Sequence, residues 1–177
     1  MNYLGIDKSS ISNGPGVRVV LWVSGCTCKC DKCQNPESWD FNAGMLFDES
    51  AKQVLFDALN KPYIRGVSFS GGHPLENKNV EGVYLLIKEI KEKFPTKDIW
   101  LYTGHTWDQI FQKACLDMFN VNNAYRKEVV KMCDVLVDGP YIDEQRDITL
   151  AFRGSSNQRL IDVQETLKQN RIITIQN

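Results

Sequence analysis

Short apolar runs alternate with helical patterns along most of this chain, and that alternation narrows its possible folds more than any other feature. Val17-Arg-Val-Val-Leu-Trp-Val-Ser24 reads as a buried strand. Ala51, Val54, Leu55 and Leu59 then recur at helical spacing behind Asp48, a residue type suited to an N-cap. Val67 and Phe69 mark a second strand, stopping at Ser70-Gly71-Gly72. Val83, Leu86, Ile87 and Ile90 line a second helix that ends near Phe94-Pro95. Ile99, Trp100 and Leu101 form a third strand before Tyr102-Thr103-Gly104, and Trp107, Ile110, Phe111 and Ala114 predict a third helix. A helical stretch from Tyr125 to Lys131 leads to a fourth strand, Val135-Leu-Val137, which stops at Asp138-Gly139-Pro140. Such βαβα order calls for an α/β fold with a parallel sheet, right-handed crossovers and flanking helices. Beyond Phe152 the pattern is ambiguous, with strand-like Leu160-Ile161 and Ile172 to Ile175 around a short helical segment.

The 177 residues suit one domain spanning 1–177, since no linker or low-complexity segment interrupts them. A formal net charge of −1 and the lack of a basic run argue against a nucleic-acid partner. No apolar stretch is long enough to span a bilayer, and Met1 to Asp7 lacks the basic and hydrophobic parts of a secretory signal. Six cysteines in such a chain imply a reducing compartment, so the expected location is the cytoplasm, away from any membrane.

Four loops then fall at the carboxyl ends of the four strands, the edge where α/β sheets build their sites. They hold Cys26-x3-Cys30-x2-Cys33, Gly71-Gly72-His73-Pro74, Thr103-Gly104 and Asp138-Gly139. A single Gly-Gly is ordinarily just a turn; four such loops on one edge favour a shared site. Three thiolates in one loop can hold three irons of a cubane cluster and leave the fourth open, whereas ordinary electron-transfer clusters take four cysteines. The residues alone leave zinc equally open, with His73, His105, Cys115 or Cys133 as a fourth ligand, although zinc patterns usually pair two ligand couples across a longer gap. Cys28 is a further alternative ligand. Ordinary structural roles compete elsewhere: an Asx turn for Asp138, local backbone bonding for Thr103, and a helix start or solvent contact for His105. Cys115 and Cys133 read as small buried hydrophobes, and Arg153 and Arg159 as solvated cations. The sequence pattern contains no serine–histidine–carboxylate arrangement.

Asn13-Gly-Pro-Gly16, Arg18, Ser24-Gly-Cys26, the cysteine spacing and Ser70-Gly-Gly-His-Pro74 together resemble the radical S-adenosylmethionine activating enzymes. Trp100-Leu-Tyr-Thr-Gly104, Val137-Asp-Gly-Pro140 and Phe152-Arg-Gly-Ser-Ser-Asn-Gln-Arg159 narrow the resemblance to activators of anaerobic ribonucleoside-triphosphate reductase. The resemblance runs from about Asn13 to Asp162. It implies a partial β/α barrel of radical-SAM type, with a [4Fe-4S] cluster on Cys26, Cys30 and Cys33. It implies S-adenosylmethionine on the open iron, beside the backbone of Lys32, Cys33 and Gln34, with Gly71, Gly72 and position 73 facing its amino group. Thr103 and Asp138 are further candidates at the same edge.

The implied chemistry is reductive cleavage of S-adenosylmethionine, fed by reduced flavodoxin or a similar donor. The resulting 5′-deoxyadenosyl radical takes a hydrogen from a glycine of the large reductase subunit, and no protein acid, base or nucleophile is required. His73 departs from the family's Glu or Asp, Cys28 from its frequent His, and Lys32 from its frequent aromatic. Activation of another glycyl-radical enzyme, or a non-catalytic zinc module that binds a protein, are the alternatives. The chain is too short for the additional ferredoxin-like domain that some such activases carry, which favours the reductase.

Overall fold

The computed structural model describes residues 1–111 and 121–176. Its centre is a seven-stranded sheet in the order β3-β1-β2-β4-β5-β6-β7. The strands are β1 (Asn2–Ser10), β2 (Val17–Val23), β3 (Met45–Leu46), β4 (Ile64–Gly71), β5 (Asp98–Tyr102), β6 (Val135–Asp138) and β7 (Arg159–Asp162). The four strands expected from the apolar runs are β2, β4, β5 and β6, and these pair in parallel. Antiparallel strands flank them on both sides, so the sheet is mixed rather than wholly parallel. β1 escaped the sequence reading because only Tyr3 in it is buried; Gly5, Asp7 and Lys8 break the apolar pattern. It is a strand because it pairs with β2, not because its own composition favours one. The ambiguous tail resolves into β7, a helix, and a bridge between Ile161 and Thr174.

The helices are α1 (Glu49–Leu59), α2 (Val80–Lys93), α3 (Trp107–Phe111), α4 (Val121–Met132) and α5 (Val163–Gln169). Asp48 caps α1 as its residue type suggested, accepting the Ala51 N–H at 2.9 Å. A cap of this kind contributes about 1 kcal/mol. Val54 is a correction: it lies 37% exposed, turned away from the stripe that Ala51, Leu55 and Leu59 bury. Val83, Leu86, Ile87 and Ile90 of α2 are all buried as expected. The expected positions Ala114 and Cys115 lie outside the described residues. Among the described residues no helix is long and apolar enough to cross a membrane.

Because side chains alternate along a strand, the sheet presents two different faces. One carries Val19, Leu21, Val67, Phe69, Ile99 and Leu101 into the main core shared with the helices. The other begins with Arg18, Ser68 and Trp100 near the amino ends of the parallel strands. It runs on to Trp22, Ser70 and Tyr102 at their carboxyl ends, where register places Trp22 opposite Ser70. The second face is where the site lies.

Candidate functional site

A cavity of about 420 Å³ opens at the carboxyl edge. Its walls include Cys26, Cys28, Cys30 and Cys33 from the loop after β2, Gly71, Gly72 and His73 after β4, and Thr103 and Gly104 after β5. Gly139 stands at the end of β6, and Phe152, Arg153 and Gly154 close the side nearest β7. The four loops therefore do meet.

Local backbone geometry explains the shape of the cysteine loop. Gly25 has φ +95°, and a Cβ there would come within 2.1 Å of the Phe41 ring. Only glycine turns the chain at that point. Lys29 and Lys32 also adopt left-handed backbone, each directly before a cysteine, which winds Cys30 and Cys33 back toward the cavity. The loop is pinned by Gly25 N–H to Ser38 O (2.7 Å) and Cys26 N–H to Trp39 O (3.2 Å). The Gly-Gly turn is pinned against the same loop, with Gly72 N–H donating to Val23 O (2.8 Å) and His73 N–H to Gly25 O (2.9 Å). Asn79, buried at the start of α2, donates from Nδ2 to both Ser24 O and His73 O and so ties the two loops from behind.

The thiols are not equivalent. The Cys28 side chain donates to Cys26 and, against the effect of burial, brings the Cys26 thiol down to about 6. Cys28 is pushed up by the same interaction and by burial, and Cys30 is pushed up chiefly by burial. The shift favours the thiolate of Cys26, the form that binds iron. Among the described residues no three His, Cys, Asp or Glu side chains are gathered closely enough to hold a single metal ion. The thiols share a cavity rather than a point. In donor chemistry, three cysteines of one loop on one cavity wall fit an iron–sulfur cluster.

His73 is almost wholly enclosed. Its Nδ1 lies 3.3 Å from Glu76 Oε1, its Nε2 2.7 Å from Thr103 Oγ1, and its ring packs edge-on against His105. Glu76, which sequence reasoning passed over, also accepts the Thr27 N–H (2.8 Å) and the Thr27 hydroxyl (2.5 Å). Burial works against its charge, but the hydrogen bonds from His73 and Thr27 prevail and hold the carboxyl at about 2. Its place in the turn before α2 gave no sign of this role, since only folding brings Thr27 beside it.

Two candidates stand apart from the cavity walls. Lys32 reaches outward to Asp143, 2.6 Å away. Asp138 is buried and accepts the Trp107 N–H at 2.8 Å while pairing with Arg159. It neither forms the Asx turn weighed for it nor faces the cavity, and Arg159 is its counter-ion rather than a solvated cation. Gln34 and Thr103 line the cavity. Cys133 is buried among hydrophobes, as its apolar surroundings predicted. Two buried donors find no partner among the described residues and belong to cavity-lining side chains, Trp39 Nε1 and Arg153 Nε. Such donors suit an anionic group such as a ligand carboxylate.

Gly72 is constrained by its neighbours. A Cβ there would meet Gly25 O at 2.6 Å, so this position needs glycine to let the two loops pack. At Gly104 a Cβ would sit 2.6 Å from Cys28 Sγ.

A family model described as a 4Fe-4S single cluster domain matches residues 12–161, which places the chain among proteins that carry one such cluster. The chain belongs to the family of anaerobic ribonucleoside-triphosphate reductase-activating proteins. It is 38% identical over 160 residues to that protein from Haemophilus influenzae and to that from Escherichia coli K12, covering 89% of this chain and 96% of each relative. Against the protein of Enterobacteria phage T4 the identity is 39% over 160 residues, covering 90% of this chain and 93% of the relative.

Proposed function

We propose that this chain activates an anaerobic ribonucleoside-triphosphate reductase as a radical S-adenosylmethionine enzyme. The observation that carries the proposal is the meeting of Cys26, Cys30 and Cys33 with the Gly71-Gly72-His73 turn around one cavity, in a chain of this family. Residues 1–177 would form one domain, and the mixed sheet with its site at the carboxyl edge is compatible with the partial β/α barrel of such enzymes.

Cys26, Cys30 and Cys33 would hold the [4Fe-4S] cluster. When bound, the cluster and S-adenosylmethionine would supply one-electron radical chemistry directed at a glycine of the reductase. The chain's own residues bind, orient and shield. Gly71 and Gly72 keep the wall low by packing on the cysteine loop. Trp39 and Arg153 offer donors to a carboxylate, and Cys33 and Gln34 line the same cavity. Trp22, Tyr102 and Phe152 limit water at the reacting centre. Lys32 and Asp138 would act at one remove, Lys32 by bracing the loop through Asp143 and Asp138 by fixing Arg159 beside the Arg153 segment. The electron would come from reduced flavodoxin or a similar protein. The free thiols support a reducing, cytoplasmic setting.

The test is anaerobic reconstitution followed by incubation with S-adenosylmethionine, a reductant and the reductase. A carbon-centred radical should form on the reductase, and deuterium placed on its glycine Cα should appear in 5′-deoxyadenosine. Deuterium taken from a free small molecule, with none from the reductase, would reassign the reaction. One bound zinc and no sulfide would instead support a non-catalytic module.

A further inference from the structure

His73 stands where the family resemblance implies an acidic residue, yet the surrounding wall is not short of charge. Glu76, His73 and Thr103 make one continuous chain of hydrogen-bonding atoms, each residue less than a tenth exposed. The chain runs from Glu76 Oε1 to His73 Nδ1 at 3.3 Å, and from His73 Nε2 to Thr103 Oγ1 at 2.7 Å. Thr103 Oγ1 also accepts the His105 N–H at 3.1 Å. We propose that Glu76 is a positioning residue: it fixes His73 with its proton on Nδ1, so that Nε2 takes the Thr103 hydroxyl proton and Thr103 offers its remaining lone pair to a cationic ligand group in the cavity.

The alternatives fail on donor and acceptor count. A neutral imidazole has one donor and one acceptor nitrogen. Were the proton on Nε2, bare Nδ1 would face a carboxylate that Thr27 already holds ionised through two donors, and the other group beside it, the Cys28 thiol 3.9 Å away, gives its proton to Cys26. Were both nitrogens protonated, Nε2 would donate to Thr103, and with the His105 N–H that would occupy both hydroxyl lone pairs. Only the Nδ1–H tautomer leaves an acceptor uncommitted on a residue that lines the cavity. Glu76 also grips Thr27, between Cys26 and Cys28, so one buried carboxylate sets both the cysteine loop and the polarity of the wall at Thr103. The chemistry fits a primary ammonium. That this is the amino group of S-adenosylmethionine rests on the function proposed above; the tautomer does not.

The chain has two histidines, so nitrogen-15 correlation spectra of the full protein resolve both rings, and His105→Asn assigns them. At pH 7.5 His73 should carry its proton on Nδ1 in the native chain and shift toward the Nε2–H form in Glu76→Gln. An Nε2–H or doubly protonated ring in the native chain overturns the proposal, whether or not ligand binds. After reconstitution, Glu76→Gln should bind S-adenosylmethionine about five- to tenfold more weakly at unchanged iron content, the difference between a charge-assisted and a neutral bond. Thr103→Val should weaken binding likewise, Thr103→Ser should restore it, and Glu76→Gln should add nothing to Thr103→Val. Equal affinity in Glu76→Gln, or additive losses, would overturn the role in ligand binding. If the Nδ1–H tautomer is present and no reconstituted form binds S-adenosylmethionine, the relay stands and the proposed function falls.

Discussion

The two ends of one sheet face contrast sharply. At the amino end Arg18, fully buried, donates to Ser68 Oγ (3.0 Å) and Val67 O (3.1 Å), pairs with Asp98 at 2.5 Å and lies over the Trp100 ring. Asp98 also receives Arg65 at 2.9 Å. At the carboxyl end, on the same face, the thiols are only half-buried and two donors, on Trp39 and Arg153, have no partner among the described residues. A buried charge is stable only when its hydrogen bonds are met. The amino end meets the donors of Arg18 from within the chain and leaves Asp98 Oδ1 to the ion pair alone, whereas the carboxyl end has donors left for something it binds. Arg18, one of the residues that carried the family resemblance, is therefore explained by folding, whereas Cys26 stands on the cavity wall.

The largest expected effect tests the carboxyl end. Cys26→Ala, Cys30→Ala and Cys33→Ala should each abolish a stable cluster and all S-adenosylmethionine cleavage, read as iron, sulfide and 5′-deoxyadenosine. Cys28→Ala should keep both. Loss of the cluster in Cys28→Ala, together with retention in one of the other three, would break the ligand assignment.

Arg18→Met tests the amino end. It removes the Asp98 pair and leaves Ser68 and Val67 O short of a donor, which should cost about 3 kcal/mol in urea denaturation. Cluster content per folded molecule should not change. A variant that folds with native stability but fails to bind S-adenosylmethionine would erase the division between the two ends.

Acid should act through Glu76. Its carboxyl is held at about 2 against an ordinary 4.5, so the folded chain favours the charged form. That stabilisation is fully present above about pH 4.5 and is lost progressively as the pH falls toward 2, because the unfolded chain takes up the proton first. The stability difference between the native chain and Glu76→Gln should therefore narrow by about 2 kcal/mol between pH 6 and pH 2.5, followed by denaturant titration. A difference that stays constant with pH would remove Glu76 from the carboxyl-end network.

The smallest effect concerns the contact between Gly104 and Cys28. Gly104→Ala should destabilise by about 1 kcal/mol through contact with the Cys28 sulfur, and Cys28→Ala in the same chain should recover most of it. Additive losses would show that the two loops do not press on each other there.

Much of this was legible in order along the chain. The four central strands, the cap at Asp48 and the buried stripe of α2 follow from apolar spacing, which acts over a few residues and needs no partner. The cysteine loop and the Gly-Gly turn were legible for the same reason, being local and made of residues with few other uses. β1 was not, because its pairing with β2 outweighs its own composition, and Val54 misled because apolar spacing does not say how wide a stripe the core covers. Lys32 was read as a backbone contact, which its side chain leaves open by turning to Asp143, whereas the Asp138 side chain is committed to Arg159 and Trp107.

What the sequence by itself determined is therefore the order of elements and the edge at which the unusual residues, the cysteines among them, gather. Only the tertiary structure decided which polar groups neutralise one another and which remain for a ligand. Thr27 and Glu76 stand 49 positions apart, and His73 and Thr103 30 apart. Hydrogen bonds at about 3 Å depend on where strands end in space, which spacing along a chain does not record.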